Sequence, residues 1–317
     1  MFPIEHEIYR FRLEALEETR LPPFKGSALR GAFGHALKRV VCALRNQECP
    51  TCLVRESCTY QRVFETRVDP AAGPKTGVDV APHPYVLVPP IEERTQYAAG
   101  EPVECTLLLM GPALGVLPYL VYAFQELGRR GITVERKPLG LRQVEGFGPS
   151  GWEVVYDEGA GVLRTPRVVA PPPVPAPLDG RGVVELLTPL RVKERGRFVN
   201  QLDLRSLLLA LWRRREILAR YYGGASPAAD EGPAALFALA EAARVVKSET
   251  TWKEWTRYSN RQGTKMQLGG VVGRLVLEGD LEPLAPWLAW GERFHVGKAT
   301  SFGLGKIRVL TSTGEQG

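Results

Sequence analysis

The 317 residues contain only four histidines and three methionines. Nowhere do they offer the apolar run of about 18 residues that a membrane span requires. Histidine proton transfer must therefore come from His6, His35, His83 or His295. Met1 to Arg12 alternates charged and apolar residues and lacks the apolar centre of a signal peptide, so a cytoplasmic protein with no membrane partner is expected. No large charge imbalance is present either. Lys and Arg number 41 against 35 Asp and Glu, a net +6 that tilts toward a nucleic-acid partner without requiring one. With 24% charged and 44% hydrophobic residues, bulk disorder is excluded. The length suits one large core or two of roughly 100–170 residues each.

The periodicity predicts a strand over Ile4–Leu16. A helix follows over Phe24–Leu44, where Leu29, Phe33, Ala36, Leu37 and Val40 form one apolar stripe. After a cysteine-bearing insertion come strands at Tyr85–Val88 and Val103–Met110, a helix over Leu114–Arg130, and strand material over Ile132–Arg142 and Gly151–Tyr156. This strand-helix-strand-strand-helix-strand order is ferredoxin-like. Five prolines between Arg167 and Asp179 exclude regular structure there and mark a stiff linker or a loop laid on the surface. Beyond it a similar order is expected: strand Gly182–Leu190, helices Leu202–Tyr222 and Pro233–Val246, strands Thr250–Tyr258 and Val271–Glu278, helix Leu284–Arg293 and a last strand Gly305–Leu310. The fold class predicted is α+β, as tandem ferredoxin-like (RRM-like) βαββαβ domains. Residues 1–166 would form the first, with an insertion at about 42–62. Residues 167–180 would be the linker and 181–317 the second domain.

Gly297-Lys298-Ala299-Thr300-Ser301-Phe302-Gly303-Leu304-Gly305 precedes that last strand. Glycines let backbone amides approach an anion, Lys298 adds charge, and Thr300 and Ser301 add hydroxyls. The plainer alternative is a glycine-rich turn. A P-loop is excluded, because the lysine and hydroxyls are in the wrong order and a strand follows instead of a helix.

Trp287–Val309 resembles the C-terminal signature of the RAMP superfamily, and within it the CRISPR-associated endoribonucleases that process precursor CRISPR RNA (CRISPR-associated protein six). Phe24-Lys25-Gly26 through Ala36-Leu37-Lys38-Arg39, and Leu187-Thr188-Pro189-Leu190-Arg191, agree with it in order. The resemblance implies tandem ferredoxin-like domains and a repeat-RNA substrate, hairpin or single-stranded. It also implies metal-independent cleavage by the 2′-hydroxyl, leaving a 2′,3′-cyclic phosphate. Other CRISPR effector subunits are expected partners.

Such cleavage needs a base, an acid and positive charge at the phosphorus, and histidine suits the proton transfers because its ordinary pKa is near 6.5. His6 and His83 lack a basic sequence neighbour. His35 falls roughly 145° from the centre of the apolar stripe at about 100° per residue, hence outward, with Gly31 and Lys38 on the same face. The resemblance often places a general base in this helix, so His35 is the expected general base or acid, with Lys38 at the phosphate. His295 belongs to the loop signature and is expected to contact RNA or to shape the loop, with a helix C-cap as the plainer alternative. It completes the catalytic set considered. Tyr9, Tyr60 and Lys25 are further partners that the sequence does not rank.

Expected RNA contacts are Arg30, Arg191, Lys193, Arg257, Arg261, Lys265, Lys298, Thr300, Ser301, Gly303 and Gly305. Thr251–Lys265 interleaves Trp252, Trp255 and Tyr258 with cations, the pattern for stacking bases beside charge, unless those rings pack inward. Arg213, Arg214 and Arg215 cannot all face one way on a helix. Cys42, Cys49, Cys52 and Cys58 are spaced C-x6-C-x2-C-x5-C. In a cytoplasmic chain this reads as a closed structural zinc site or, second, an iron–sulfur cluster, with free thiols as the alternative. No cofactor is expected in catalysis. Two other functions fit the same residues: a non-cleaving RAMP subunit holding guide RNA, or a zinc-stabilised nucleic-acid adaptor.

Overall fold

The computed structural model describes residues 4–66, 81–164, 168–223, 232–259 and 264–311, with the backbone alone at 256–259 and 264–266. The chain divides into two compact units. One is Ile4–Pro171 with Tyr221–Gly224; the other takes Pro172–Arg220 and Ala225–Gly317.

The first unit runs β1 His6–Ala15, β2 Thr19–Arg20, α1 Gly26–Val41, α2 Thr59–Phe64, β3 Tyr85–Val88, β4 Gln96–Tyr97, β5 Pro102–Met110, α3 Leu117–Arg130, β6 Leu139–Gly148, β7 Gly151–Asp157 and β8 Val162–Leu163. Its main sheet has the order β3-β5-β1-β6-β7-β8, antiparallel throughout. The second unit runs β9 Arg181–Leu190, β10 Lys193–Glu194, β11 Arg197–Phe198, α4 Leu204–Tyr222, α5 Pro233–Leu239, β12 Ala243–Lys253, β13 Thr256–Ser259, β14 Thr264–Gln267, β15 Gly270–Gly279, α6 Ala285–Phe294 and β16 Ile307–Thr311. Its main sheet is β12-β15-β9-β16, also antiparallel. In both units the βαββαβ strands stand in the same spatial sequence of second, third, first, fourth. The protein is therefore α+β with tandem ferredoxin-like folds.

Alternation drives β1 inward at Phe11 and Leu13, both fully buried, where the Phe11 ring stacks on Phe124 of α3 at 3.9 Å between centroids. Leu29, Phe33, Ala36 and Leu37 of α1 join the same core. Val40 does not; it is exposed, beyond the reach of the sheet. α2 docks on α1 at Gly34, where a Cβ would sit 2.8 Å from the Phe64 ring.

Three expected elements are corrected. Helix α5 stops at Leu239, and Ala243–Val246 instead begins β12, because pairing Ala243 with Gly279 along β15 outweighs the helix propensity of an Ala-rich run. The strand expected over Thr250–Tyr258 breaks at Glu254 and Trp255 into β12 and β13. Strand β6 starts at Leu139 rather than Ile132. Of the proline-rich stretch, Val169 bridges to Glu7 and the Ala170 amide donates to the His6 carbonyl at 2.9 Å, so its start lies along β1. No described helix is long and apolar enough to cross a membrane.

Candidate nucleic-acid interface

In the first unit, α1 starts at Lys25, a fully buried residue whose ammonium donates to the carbonyls of Pro23, Glu92 and Arg94 at 3.3, 2.7 and 2.7 Å. Burial pushes its pKa down from the ordinary lysine value. Lys25 is an anchor for the helix start and not a catalytic partner. Tyr9 is no catalytic partner either, being 1% exposed with its hydroxyl on Glu7 at 3.2 Å.

Ten residues past Lys25, His35 is exposed on the outer face of α1. Gly31, one turn earlier, is exposed as well, with open space where a Cβ would be. His35 is the one exposed histidine of the four: His6 and His295 are buried, and His83 is half-buried with Arg30 Nη2 at 2.9 Å from its Nε2. That pairing corrects the expectation that His83 lacks a basic neighbour, and it ties down Arg30, which was expected to reach RNA. Lys38 is half-buried, its ammonium 5.6 Å from the centre of the Tyr60 ring and bordering the cavity that the cysteines line. It therefore does not stand free beside His35.

Cys42, Cys49, Cys52 and Cys58 all border that one cavity. Among the described residues, however, no group of three or more His, Cys, Asp and Glu side chains is already arranged to hold a metal ion. The expected closed zinc geometry is thus not preformed. The four cysteines sit at the ends of separate elements.

In the second unit the glycine loop is folded against the end of β9. The Val296 amide donates to Gly305, Lys298 to the Arg191 carbonyl, Gly303 to Thr300, and Gly305 to the Pro189 carbonyl, at 2.9–3.1 Å. The Thr188 hydroxyl donates to the Gly303 carbonyl at 2.8 Å and accepts the Lys306 amide at 2.9 Å. Gly297, Gly303 and Gly305 have positive φ. A Cβ on Gly305 would lie 1.8 Å from the Val296 carbonyl oxygen, so this position admits glycine alone. These amides are engaged inside the loop, and Thr300 and Ser301 are buried within a short 3-10 turn. The expected cradle of amides and hydroxyls is corrected to a locked scaffold. Lys298 is the cation it leaves exposed.

His295, the residue after α6, is fully buried. Its Nδ1 stands 3.1 Å from the Leu304 carbonyl oxygen, while Nε2 has no hydrogen-bond partner among the described residues. Burial, followed by the charge of Lys306, holds it well below the ordinary 6.5 and hence neutral. This overturns RNA contact for His295 and leaves its loop-shaping alternative, since apolar packing has turned the ring inward.

Arg191 is held as well, donating to the Gly269 carbonyl at 2.6 Å with its guanidinium 4.3 Å from the centre of the Phe198 ring. Next to it, Lys193, Arg195 and Arg197 are all exposed on the β10–β11 hairpin, whose tip places Arg195 at φ 48. Arg213 is exposed and donates to the Lys193 carbonyl at 3.0 Å, whereas Arg214 and Arg215 are buried, which resolves the arginine triplet. Several of the sheet's own cations are paired with acids: Arg274 and Arg308 share Glu185 at 2.9 and 2.5 Å, and Lys247 meets Glu249 at 2.6 Å. The exposed charge of this unit thus includes a basic hairpin bonded through Arg191 to the Lys298 loop. Arg195 and Arg197 were part of a basic tract in the sequence, but only the tight Arg195-Gly196 turn sets them beside Lys193. Trp252 is 36% exposed, so it does not pack inward. Arg257 and Lys265 fall on the paired strands β13 and β14, and Arg261 lies outside the described residues.

The N-terminal residues 3–168 match a family described as the AF_1859_N N-terminal domain. Residues 184–307 match the CRISPR-associated endoribonuclease Cas6 family. An uncharacterized protein of Archaeoglobus fulgidus is 27% identical over 300 residues, covering 92% of this chain and 93% of its own. Among solved structures, the product complex of Thermus thermophilus Cas6 is 16% identical, covers 96% of this chain and 100% of that one, and has a TM-score of 0.54. A chain of a partial Cas6-RT-Cas1–Cas2 complex is 13% identical, covers 97% of this chain and 46% of that one, and has a TM-score of 0.57. At these identities the structural likeness is one of fold. The chain thus belongs to the family of the AF_1859_N N-terminal domain, its residues 184–307 match the CRISPR-associated endoribonuclease Cas6 family, and it shares its fold with a Cas6 structure over nearly the full length.

Proposed function

We propose that this protein is an endoribonuclease that cuts precursor CRISPR RNA within its repeats by acid–base chemistry. The 2′-oxygen attacks the adjacent phosphorus, the bond to the 5′-oxygen breaks, and one proton leaves the 2′-hydroxyl while another reaches the departing oxygen. The products are a 2′,3′-cyclic phosphate and a 5′-hydroxyl. The observation that carries this reading is the exposure of His35 on α1 above the bare position of Gly31, which leaves room for a sugar–phosphate backbone. His35 performs one of the two proton transfers, an imidazole being suited to either. Lys38 and Arg39 follow in the last turn of α1, Arg39 paired with Glu126 at 3.3 Å. Lys193, Arg195, Arg197 and Lys298 grip the RNA backbone, and Trp252 offers a ring for a base to stack on.

A second reading, a non-cleaving subunit that holds CRISPR RNA beside other CRISPR proteins, is favoured by one observation. With His295 buried, only one exposed histidine remains for a reaction that moves two protons. Incubating repeat RNA with the protein in EDTA separates the two. Cyclic-phosphate product that disappears in His35→Ala supports the nuclease, and tight binding with no product supports the subunit.

A further inference from the structure

After α1 the chain makes an excursion through two 3-10 turns, Cys49–Thr51 and Arg55–Ser57, before α2 begins at Thr59. Neither turn contains a buried residue. Leu53 is 83% exposed and Val54 41% exposed. From Cys42 to Cys58 the half-buried positions are Cys42, Leu44, Cys49, Cys52 and Cys58, all other residues being exposed. The four thiols and one leucine are thus what this stretch turns inward, and all five border a single cavity.

Ordering a backbone costs about 1–2 kcal/mol per residue. One half-buried leucine returns no more than about 2 kcal/mol. Apolar burial therefore cannot hold the excursion in place. Its cysteines, however, stand at structural joints: Cys42 ends α1, Cys58 precedes α2, Cys49 opens the first 3-10 turn and Cys52 closes it. Gln61, which also borders the cavity, donates from Nε2 to the Cys49 carbonyl at 2.8 Å, and Gln47 accepts the Leu53 amide at 3.2 Å.

We propose that Cys42, Cys49, Cys52 and Cys58 bind one zinc ion as four thiolates and so fasten the excursion to the end of α1. Binding turns the side chains toward the cavity they already share and releases the four thiol protons to solvent. Zinc with four thiolates carries a net charge of −2, and the Lys38 ammonium on the same cavity offsets half of it. Lys38 is accordingly a positioning residue of the metal site. Cys105, buried in β5 away from this cavity, takes no part. The proposal stands whether or not the protein cuts RNA.

Metal analysis of the full chain, purified under reducing conditions without chelator, is expected to find one zinc per chain. Cobalt(II) reconstitution is expected to give the intense visible bands of a tetrahedral thiolate site. Cys49→Ser and Cys52→Ser should each lose zinc and expose the remaining three thiols to Ellman's reagent, while Cys105→Ser keeps it. Lys38→Met should retain its fold and lose zinc to a competing chelator about 10–100-fold more readily. A metal-free chain whose four thiols all react, a disulfide found by mass spectrometry, or iron and sulfide in an anaerobic preparation would each overturn the assignment. Because the metal content and cobalt spectrum are read on the unmodified protein, misfolding of a cysteine variant does not rescue it.

Discussion

The imidazole Nδ1 of His295 reaches the carbonyl oxygen of Leu304 at 3.1 Å and closes the glycine loop from inside. The ring is held there although the His295 backbone sits at φ 58, ψ 159, a region that favours glycine and costs a side-chain-bearing residue about 1–3 kcal/mol. Its surroundings must over-determine it: Val296 bonds Gly305 directly behind it. Stability and pH are linked through this residue. The folded chain keeps the imidazole neutral well below 6.5, while the unfolded chain protonates it normally. Below pH 6.5 the unfolded state therefore binds more protons, and stability falls as pH falls, by about 1.4 kcal/mol per unit. Thermal melts from pH 7.5 down to 5 (roughly the histidine range) should show this decline, and His295→Leu should flatten it. An unchanged slope in that variant would assign the acid sensitivity elsewhere.

His35→Ala should lower single-turnover cleavage by about 10²–10⁴-fold while the Kd for repeat RNA changes little, because the exposed ring supports nothing in the core. Equal losses of binding and cleavage would mean that His35 grips RNA and does not transfer protons.

Replacing Lys193, Arg195 and Arg197 with alanine should weaken RNA binding and flatten its salt dependence, by about 0.7 in slope for each phosphate of a single strand that is no longer neutralised. Arg191→Ala should behave differently. Its guanidinium is bonded to the Gly269 carbonyl, so thermal stability should drop by about 1–3 kcal/mol while the salt slope of the folded protein stays close to wild type. Matching slopes for the two variants would show that the hairpin does not touch RNA.

Two glycines should respond oppositely to alanine. Gly305→Ala forces a Cβ into the Val296 carbonyl and should cost about 3 kcal/mol or more, with RNA affinity lost through the loop. Gly31→Ala meets open space within α1 and should stabilise by about 0.5–1 kcal/mol. If RNA crosses that face, the same variant should bind or cut less well despite being more stable, which differential scanning calorimetry and cleavage rates together would reveal.

Much of the architecture was legible in the residue pattern because it rests on local periodicity. Leu29, Phe33, Ala36 and Leu37 recur at helical spacing, and that repeat alone both buries one face of α1 and puts His35 on the other. The loop from Gly297 to Gly305 was likewise visible as a glycine-rich segment before the last strand. Pro233–Val246 misled, since an alanine-rich run favours a helix until a neighbouring strand is there to pair with it. Which polar groups face water was legible only where helical periodicity decides it, as at His35. His295, Thr300 and Ser301 read as RNA-contacting residues and turned out to be interior, and Lys25, an unranked catalytic partner in the sequence, is held by three carbonyls. The order of elements, the outward histidine and the position of the loop were settled by the residues in a row, because each follows from neighbours along the chain. Which cations remain exposed and which thiols share a cavity was settled only on folding, because both depend on what packs from elsewhere in the chain.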